Sequence, residues 1–253
     1  MRKTLLFILA LSILLCFIYY LNYLLPILDK WQSLSFFISA FGAIILAIVA
    51  LFQDTLRAIV WRPKLELATE NFYPDSEIVP LTRGAERIAE AVYLQIPITN
   101  SGNATAEKVE VYLENVEREQ NGAFHKISGL YPMDLRWRHT DRPFLERISP
   151  HTTRDCTVGF IVNPANRNVF YGEDIINNFL RNLPANCSPL NLVLDVIPNT
   201  RCDLLMPGKY HLYIEISASN IRQPNKRTIE LDFTGEWLES VSDMIHARLL
   251  KNK

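Results

Sequence analysis

The densest run of chemically capable side chains is Asp134-Leu135-Arg136-Trp137-Arg138-His139-Thr140-Asp141-Arg142, continued by Arg147, His151, Arg154 and Asp155. Arginines around a tryptophan can hold a phosphate through the guanidinium fork while the indole stacks on a base or ring. Arg136, Trp137, Arg138, His139 and Arg142 are therefore the candidate anion or ligand patch. A competing reading needs no ligand. Five arginines face Asp134, Asp141, Glu146 and Asp155 as ordinary surface ion pairs, and Leu135 and Trp137 alternate like a strand whose tryptophan fills the core. His139 with Asp141, or His151 with Asp155 and Cys156, can be drawn as an acid–base or Cys–His pair. Catalytic partners normally converge from separate elements, however, and Cys156 alternates with Val158 and Phe160 as a buried strand residue does.

Other chemistry is sparse. The five histidines, at 125, 139, 151, 211 and 246, make no His-x-x-x-His spacing, and the four cysteines make no Cys-x-x-Cys. A phosphate-binding glycine loop and a Gly-x-Ser-x-Gly elbow are both missing from the sequence. The expectation is a non-enzymatic protein with no cofactor and no metal. Removing the four basic and two acidic residues of positions 1–61 from the chain totals of 26 and 27 leaves a net charge of −3 beyond them. A nucleic-acid-binding domain usually shows a basic excess, so nucleic acid is not the expected partner.

The elements around these residues read as β. Lys64-Leu65-Glu66-Leu67, Val92 to Ile98 and Val109 to Leu113 alternate with one apolar face, and Asn100-Ser101-Gly102-Asn103 between the last two predicts a hairpin turn or a crossing between sheets. Pro97 cannot donate to a ladder, which places its strand at an edge or at a bulge. Further strands are predicted at Leu135 to Arg138, Cys156 to Val162, Leu190 to Ile197, Tyr210 to Ala218 and Thr228 to Phe233, giving about eight, the range of one sandwich. Tyr210, Leu212, Ile214 and Ile216 should match Ile229, Leu231 and Phe233 across strands.

Two segments carry helical spacing. Ile175, Ile176, Phe179, Leu180 and Leu183 predict a short helix capped by Asp174 and closed by Pro184. Trp237, Leu238, Val241, Met244, Ile245 and Leu249 form one stripe of an amphipathic C-terminal helix over 236–253, whose Arg248, Lys251 and Lys253 suit its last turn.

The run Tyr93 to Val111, with strand, Asn-Ser-Gly turn, Ala and strand, resembles bacterial immunoglobulin-like domains of the cell-adhesion-related (CARDB-like) type, and Pro207-Gly208-Lys209-Tyr210-His211-Leu212 is similar to the Pro-Gly-x-Tyr start of a late strand in such sandwiches. The resemblance implies an Ig-like β-sandwich and specifies fold rather than activity. The stretch Asn163 to Pro189 is longer and more helical than such a connection requires.

Composition changes abruptly near residue 60. Thr4 to Leu28 and Trp31 to Gln53 carry no charge, and each is long enough to cross a hydrocarbon core of ~30 Å at ~1.5 Å per residue. With only Asp29 and Lys30 charged between them, they predict an antiparallel transmembrane hairpin, with Tyr19, Tyr20, Tyr23 and Trp31 at one interface. Arg2 and Lys3 before it, and Arg57, Arg62 and Lys64 after it, place both termini on the cytoplasmic side of the inner membrane. Free Cys156, Cys187 and Cys202 suit a reducing compartment. Ser35, Ser39, Ala43 and Ala47 form a small-residue stripe for close helix packing, against the first span or another copy.

The expected organisation is a transmembrane hairpin (1–61), a β-sandwich with a short inserted helix (62–235) and a C-terminal helix (236–253). The expected function is a membrane-anchored interaction module binding a protein partner or itself. The alternative is a membrane effector, for example in antiviral defence, whose sandwich senses a ligand and whose spans oligomerise to perturb the bilayer.

Overall fold

The computed structural model describes Tyr19 and residues 35–36, 38–50, 61–72, 77–138, 140 and 142–250. The chain divides into two units, Met1–Val60 and Trp61–Lys253. In the first, residues 38–50 are helical, and Ser35, Ser39, Ala43 and Ala47 are exposed whereas Ala40, Gly42 and Ile44 are half-buried. Among the described residues no helix is long and apolar enough to cross a membrane. The first predicted span apart from Tyr19, the connecting turn and both ends of the second span lie outside the described residues.

The second unit is mainly β, with two sheets enclosing one apolar core. The first sheet contains β1 (Leu65–Leu67), β3 (Val79–Arg83), β4 (Glu86–Asn100), β8 (Arg136–Trp137), β10 (Thr153–Val162), β11 (Leu190–Leu192) and β12 (Leu204–Leu205). The second contains β2 (Asn71–Phe72), β5 (Ala106–Gln120), β6 (Ala123–Lys126), β7 (Met133–Asp134), β9 (Phe144–Ile148), β13 (Gly208–Ser217), β14 (Asn225–Phe233) and β15 (Ile245–Leu250). Alternation makes the long strands: Leu94, Ile96 and Ile98 of β4 and Val109, Val111 and Leu113 of β5 are all buried, and their intervening neighbours are not. Tyr210 pairs with Leu231 and Leu212 with Ile229, as the alternation predicts.

Strands β4 and β5 belong to different sheets, so the Asn100–Asn103 turn is a crossing and not a hairpin. Asn100 is fully buried, and its side chain makes four hydrogen bonds. Its Oδ1 accepts from the amides of Lys64 (3.1 Å) and Gly102 (3.1 Å), and its Nδ2 donates to the carbonyls of Ala104 (2.8 Å) and Ile148 (3.0 Å). A Cβ on Gly102 would stand 2.3 Å from the Arg62 carbonyl oxygen and 2.5 Å from the Lys64 nitrogen, so the incoming chain lies directly over this turn.

Several elements differ from expectation. The strand holding Pro97 is not an edge, since β4 pairs with β1 and β3 on one side and β10 on the other. The Pro97 carbonyl accepts the Ala68 amide just past the end of β1, so the missing N–H falls where that neighbour stops. The bulge in this ladder lies at Val158, between Thr157 and Gly159. The Leu135–Arg138 segment changes sheets: Met133–Asp134 pairs with β5, Arg136–Trp137 pairs with β10, and buried Leu135 spans the core between them. Of Leu190–Ile197 only the first three residues form a strand, and Val196 and Ile197 are exposed.

The inserted helix starts earlier than Asp174. The side chain of Asn163 caps a short turn, Pro164–Asn166, by accepting the Ala165 amide at 3.0 Å, and α1 (Arg167–Ile175) follows. Gly172 kinks it at φ 75°, and a wider turn continues over Ile176–Leu180. The expected C-terminal helix is not formed. Val241–Asp243 makes a single tight turn, and Ile245–Leu250 joins the sheet as β15 beside β14. Its buried Ile245 and Ala247 alternate with exposed His246 and Arg248. Pairing along β14 outweighs the helical stripe because it satisfies an otherwise open strand edge. Arg248 accordingly bonds Glu230 at 2.6 Å, across the strand pair, rather than serving a helix terminus.

Replacing Asn100 by Ala should lower stability by roughly 3 kcal/mol, a fall in thermal midpoint of about 6–12 °C for a domain of this size, because two half-buried amides and two carbonyls lose a partner together. Asn103→Ala removes an exposed acceptor for the Arg62 amide and should cost less than about 1 kcal/mol. Equal midpoints for the two variants would show that the buried amide does not carry the corner.

Candidate functional site

The arginine–tryptophan stretch lies where the chain changes sheets, and that position decides what its side chains meet. Trp137 is 2% exposed and part of the core. Arg136 donates to the Asp195 carbonyl at 3.1 Å, with that residue's carboxylate at 3.8 Å. Arg138 donates to Gln95 Oε1 at 3.2 Å and lies 3.7 Å from Asp155. Arg142 bonds Glu146 at 2.8 Å. Each arginine thus has a carboxylate beside it, and the indole is inside the core rather than open to a ring. His139 lies outside the described residues. Cys156 is buried, donates to the Arg136 carbonyl at 3.5 Å, and burial pushes its thiol far up, which suits packing and not nucleophilic attack. His151 serves the corner through its backbone, its amide donating to the Asn100 carbonyl at 2.7 Å.

A different group of cations is left without such partners. On β5 the inward series Val109, Val111, Leu113 and Val116 continues to Arg118, which pairs with Tyr210 of β13 on one side and His125 of β6 on the other. Tyr210, Arg118 and His125 therefore form one row across three strands on the face that is otherwise core. The Asn121-Gly122 turn between β5 and β6, with φ of 53° and 81°, sets this register. The Arg118 guanidinium lies 5.8 Å over the Tyr210 ring and donates to the Pro207 carbonyl at 3.1 Å. Gly208 beside it, at φ 147°, would bring a Cβ to 3.6 Å from that guanidinium.

Between this row and β12 of the other sheet lies a cleft of about 210 Å³, lined by Arg118, Gln120, His125, Lys126, Ile127, Cys202, Leu204, Leu205, Met206 and Tyr210. Arg118 and His125 bring two groups of cationic type to it on one face, while Lys126 is paired with Glu117 on the other face of β6. Among the described residues Arg118, His125 and Lys126 make no ion pair. Neither a protein-family model nor a curated protein matches this sequence. The cleft rests on its own geometry. Reasoning from the sequence missed it because Arg118, His125 and Lys126 stand in no motif, although Asn121-Gly122 was a signal from which their cross-strand pairing follows.

Among the described residues no group of three His, Cys, Asp or Glu is placed to hold a metal ion. The main acidic feature is Asp134, which burial, and then the facing carboxylates of Glu110 and Asp195, push up from 3.8 to about 6. The folded state binds this proton more tightly than the unfolded chain does. Its contribution is therefore most favourable below pH 4 and is lost as pH rises through about 6. Asp134→Asn should raise the thermal midpoint at pH 7.5 by about 2–4 °C, roughly 1 kcal/mol after solvent screening, and leave it unchanged at pH 4. An equal effect at both pH values would contradict this assignment.

Proposed function

We propose that the chain is a non-enzymatic, membrane-anchored interaction module, with spans near 4–28 and 31–53 holding an immunoglobulin-like sandwich of CARDB-like type at the cytoplasmic face of the inner membrane. The observation that carries this reading is that the chain entering the sandwich, at Arg62 and Lys64, is bonded to the Asn100–Asn103 corner. The Arg62 amide donates to Asn103 Oδ1 at 3.0 Å, the Lys64 amide to Asn100 Oδ1 at 3.1 Å, and the Ser101 amide to the Lys64 carbonyl at 2.8 Å. The sandwich is therefore fastened to its own first residues, Arg62 and Lys64, which suits a domain carried on a preceding anchor. Cys156, Cys187 and Cys202 are free thiols, in keeping with a reducing compartment.

A protein partner is supported by exposed Tyr131, Val196 and Ile197. They sit on two loops joined by the Asp195 amide donating to the Asp134 carbonyl at 3.0 Å, and Gly129 lies against Thr200, so the apolar side chains share one side of the domain. The effector reading stays second, supported by the exposure of Ser35, Ser39, Ala43 and Ala47 on their helix.

The full chain should remain with membranes after alkaline carbonate extraction, and a chain beginning at residue 61 should be folded and soluble. A carbonate-extractable full chain would sink the anchor. A photo-reactive residue at Val196 should give one discrete adduct in membranes, lost in Ile197→Glu, whereas growth arrest abolished by Ala43→Leu would favour the effector.

A further inference from the structure

We infer that the cleft between β6 and β12 is a binding site for a phosphomonoester-type dianion. The first argument is position. An inward-facing row of a sandwich sheet is built from apolar side chains, and β5 follows that rule through Val109, Val111, Leu113 and Val116 before placing Arg118 and then Gln120 in the same series. Opposite Arg118 the neighbouring strand carries His125, whereas Lys126 is paired with Glu117 on the other face of the sheet. Two groups of cationic type directly across a ladder cost stability whenever both are charged, and here no carboxylate joins them in the cleft. A bound anion relieves that cost.

The second argument is the shape of the charge. Arg118 is held by the Pro207 carbonyl and by the Tyr210 ring, which orders the guanidinium before any ligand arrives. A phosphomonoester carries between one and two negative charges near neutrality and offers three acceptor oxygens, matching an arginine fork and an imidazole better than a single carboxylate does. Gln120 adds an amide donor at the rim.

The third argument is the floor. Ile127, Leu204, Leu205 and Met206 supply an apolar base under the cationic rim. A volume of about 210 Å³ is below the usual range for drug-sized ligands, so it takes the charged group and a small apolar portion attached to it. The ligand is either free orthophosphate or the phosphate end of an organic ester.

The test uses the full chain in neutral detergent, titrated by calorimetry with phenyl phosphate, orthophosphate and benzoate. Phenyl phosphate should bind saturably with a Kd below about 1 mM. Arg118→Gln and His125→Gln should each weaken it at least about fivefold, while Arg142→Gln, whose guanidinium sits on Glu146, leaves it unchanged. His125 is exposed, so its variant reports on binding even where loss of the Arg118 contact to Pro207 disturbs folding. Tighter binding of phenyl phosphate than of orthophosphate supports an ester ligand, and equal binding supports the free ion. Benzoate binding as tightly as phenyl phosphate, phosphate binding indifferent to both substitutions, or no saturable binding by the folded chain overturns the inference.

Discussion

The side-chain amide of Asn100 is the constraint on which the sandwich rests. It ends β4 in one sheet, six residues before β5 begins the other, and its hydrogen-bonding groups meet the incoming chain at Lys64, the turn at Gly102, the end of the crossing at Ala104 and the end of β9 at Ile148. Two segments distant in sequence, at Lys64 and Ile148, are thereby fixed with the turn itself to one buried group. Aspartate has no donors for the two carbonyls, and serine is too short to replace both ends of the amide. Because β4 and β5 each organise a whole sheet, fixing this corner also fixes how the two inner faces meet.

That arrangement explains why some of the fold was legible in the sequence and some was not. Alternation over β4, β5, β13 and β14 is long enough to name strand, face and partner. Asn100-Ser101-Gly102-Asn103 announces a turn, but whether the turn closes a hairpin or crosses between sheets depends on which strands bond to each side, and no local pattern records that. The same limit applies at Leu135, where a run that alternates like one strand serves two sheets. At Ile245 to Leu250 two periods fit the same apolar residues, and the open edge of β14 selects the strand. The start of the inserted helix was legible in Asn163-Pro164, a capping residue followed by a proline, although the apolar spacing drew attention to Ile175 and beyond.

The candidate site divides along similar lines. The Arg136 to Arg142 stretch is conspicuous because its charges are adjacent in sequence, yet Asp195 and Asp155 approach it from other segments and compensate Arg136 and Arg138. Trp137 is absorbed by the core for the same reason that Leu135 is, since the chain must pass through the interior to change sheets. Arg118 and His125 are inconspicuous in sequence and become neighbours only through the two-residue Asn121-Gly122 turn, which sets them opposite each other. Compensated charge collects where the fold is crowded with acceptors, and uncompensated charge remains at the open end between the sheets.

The central claim is that the corner around Asn100 belongs to the cooperative core and so ties the start of the domain to both sheets. Native-state hydrogen exchange on the full chain tests it most directly, by comparing the amides of Lys64, Ser101 and Gly102 with those of Leu212 and Ile214 in β13. The account predicts that the corner amides exchange only through the same global opening as the β13 amides, with equal free energies and equal dependence on denaturant. Exchange of Lys64 and Gly102 through a low-energy local opening, while β13 stays protected, would contradict it.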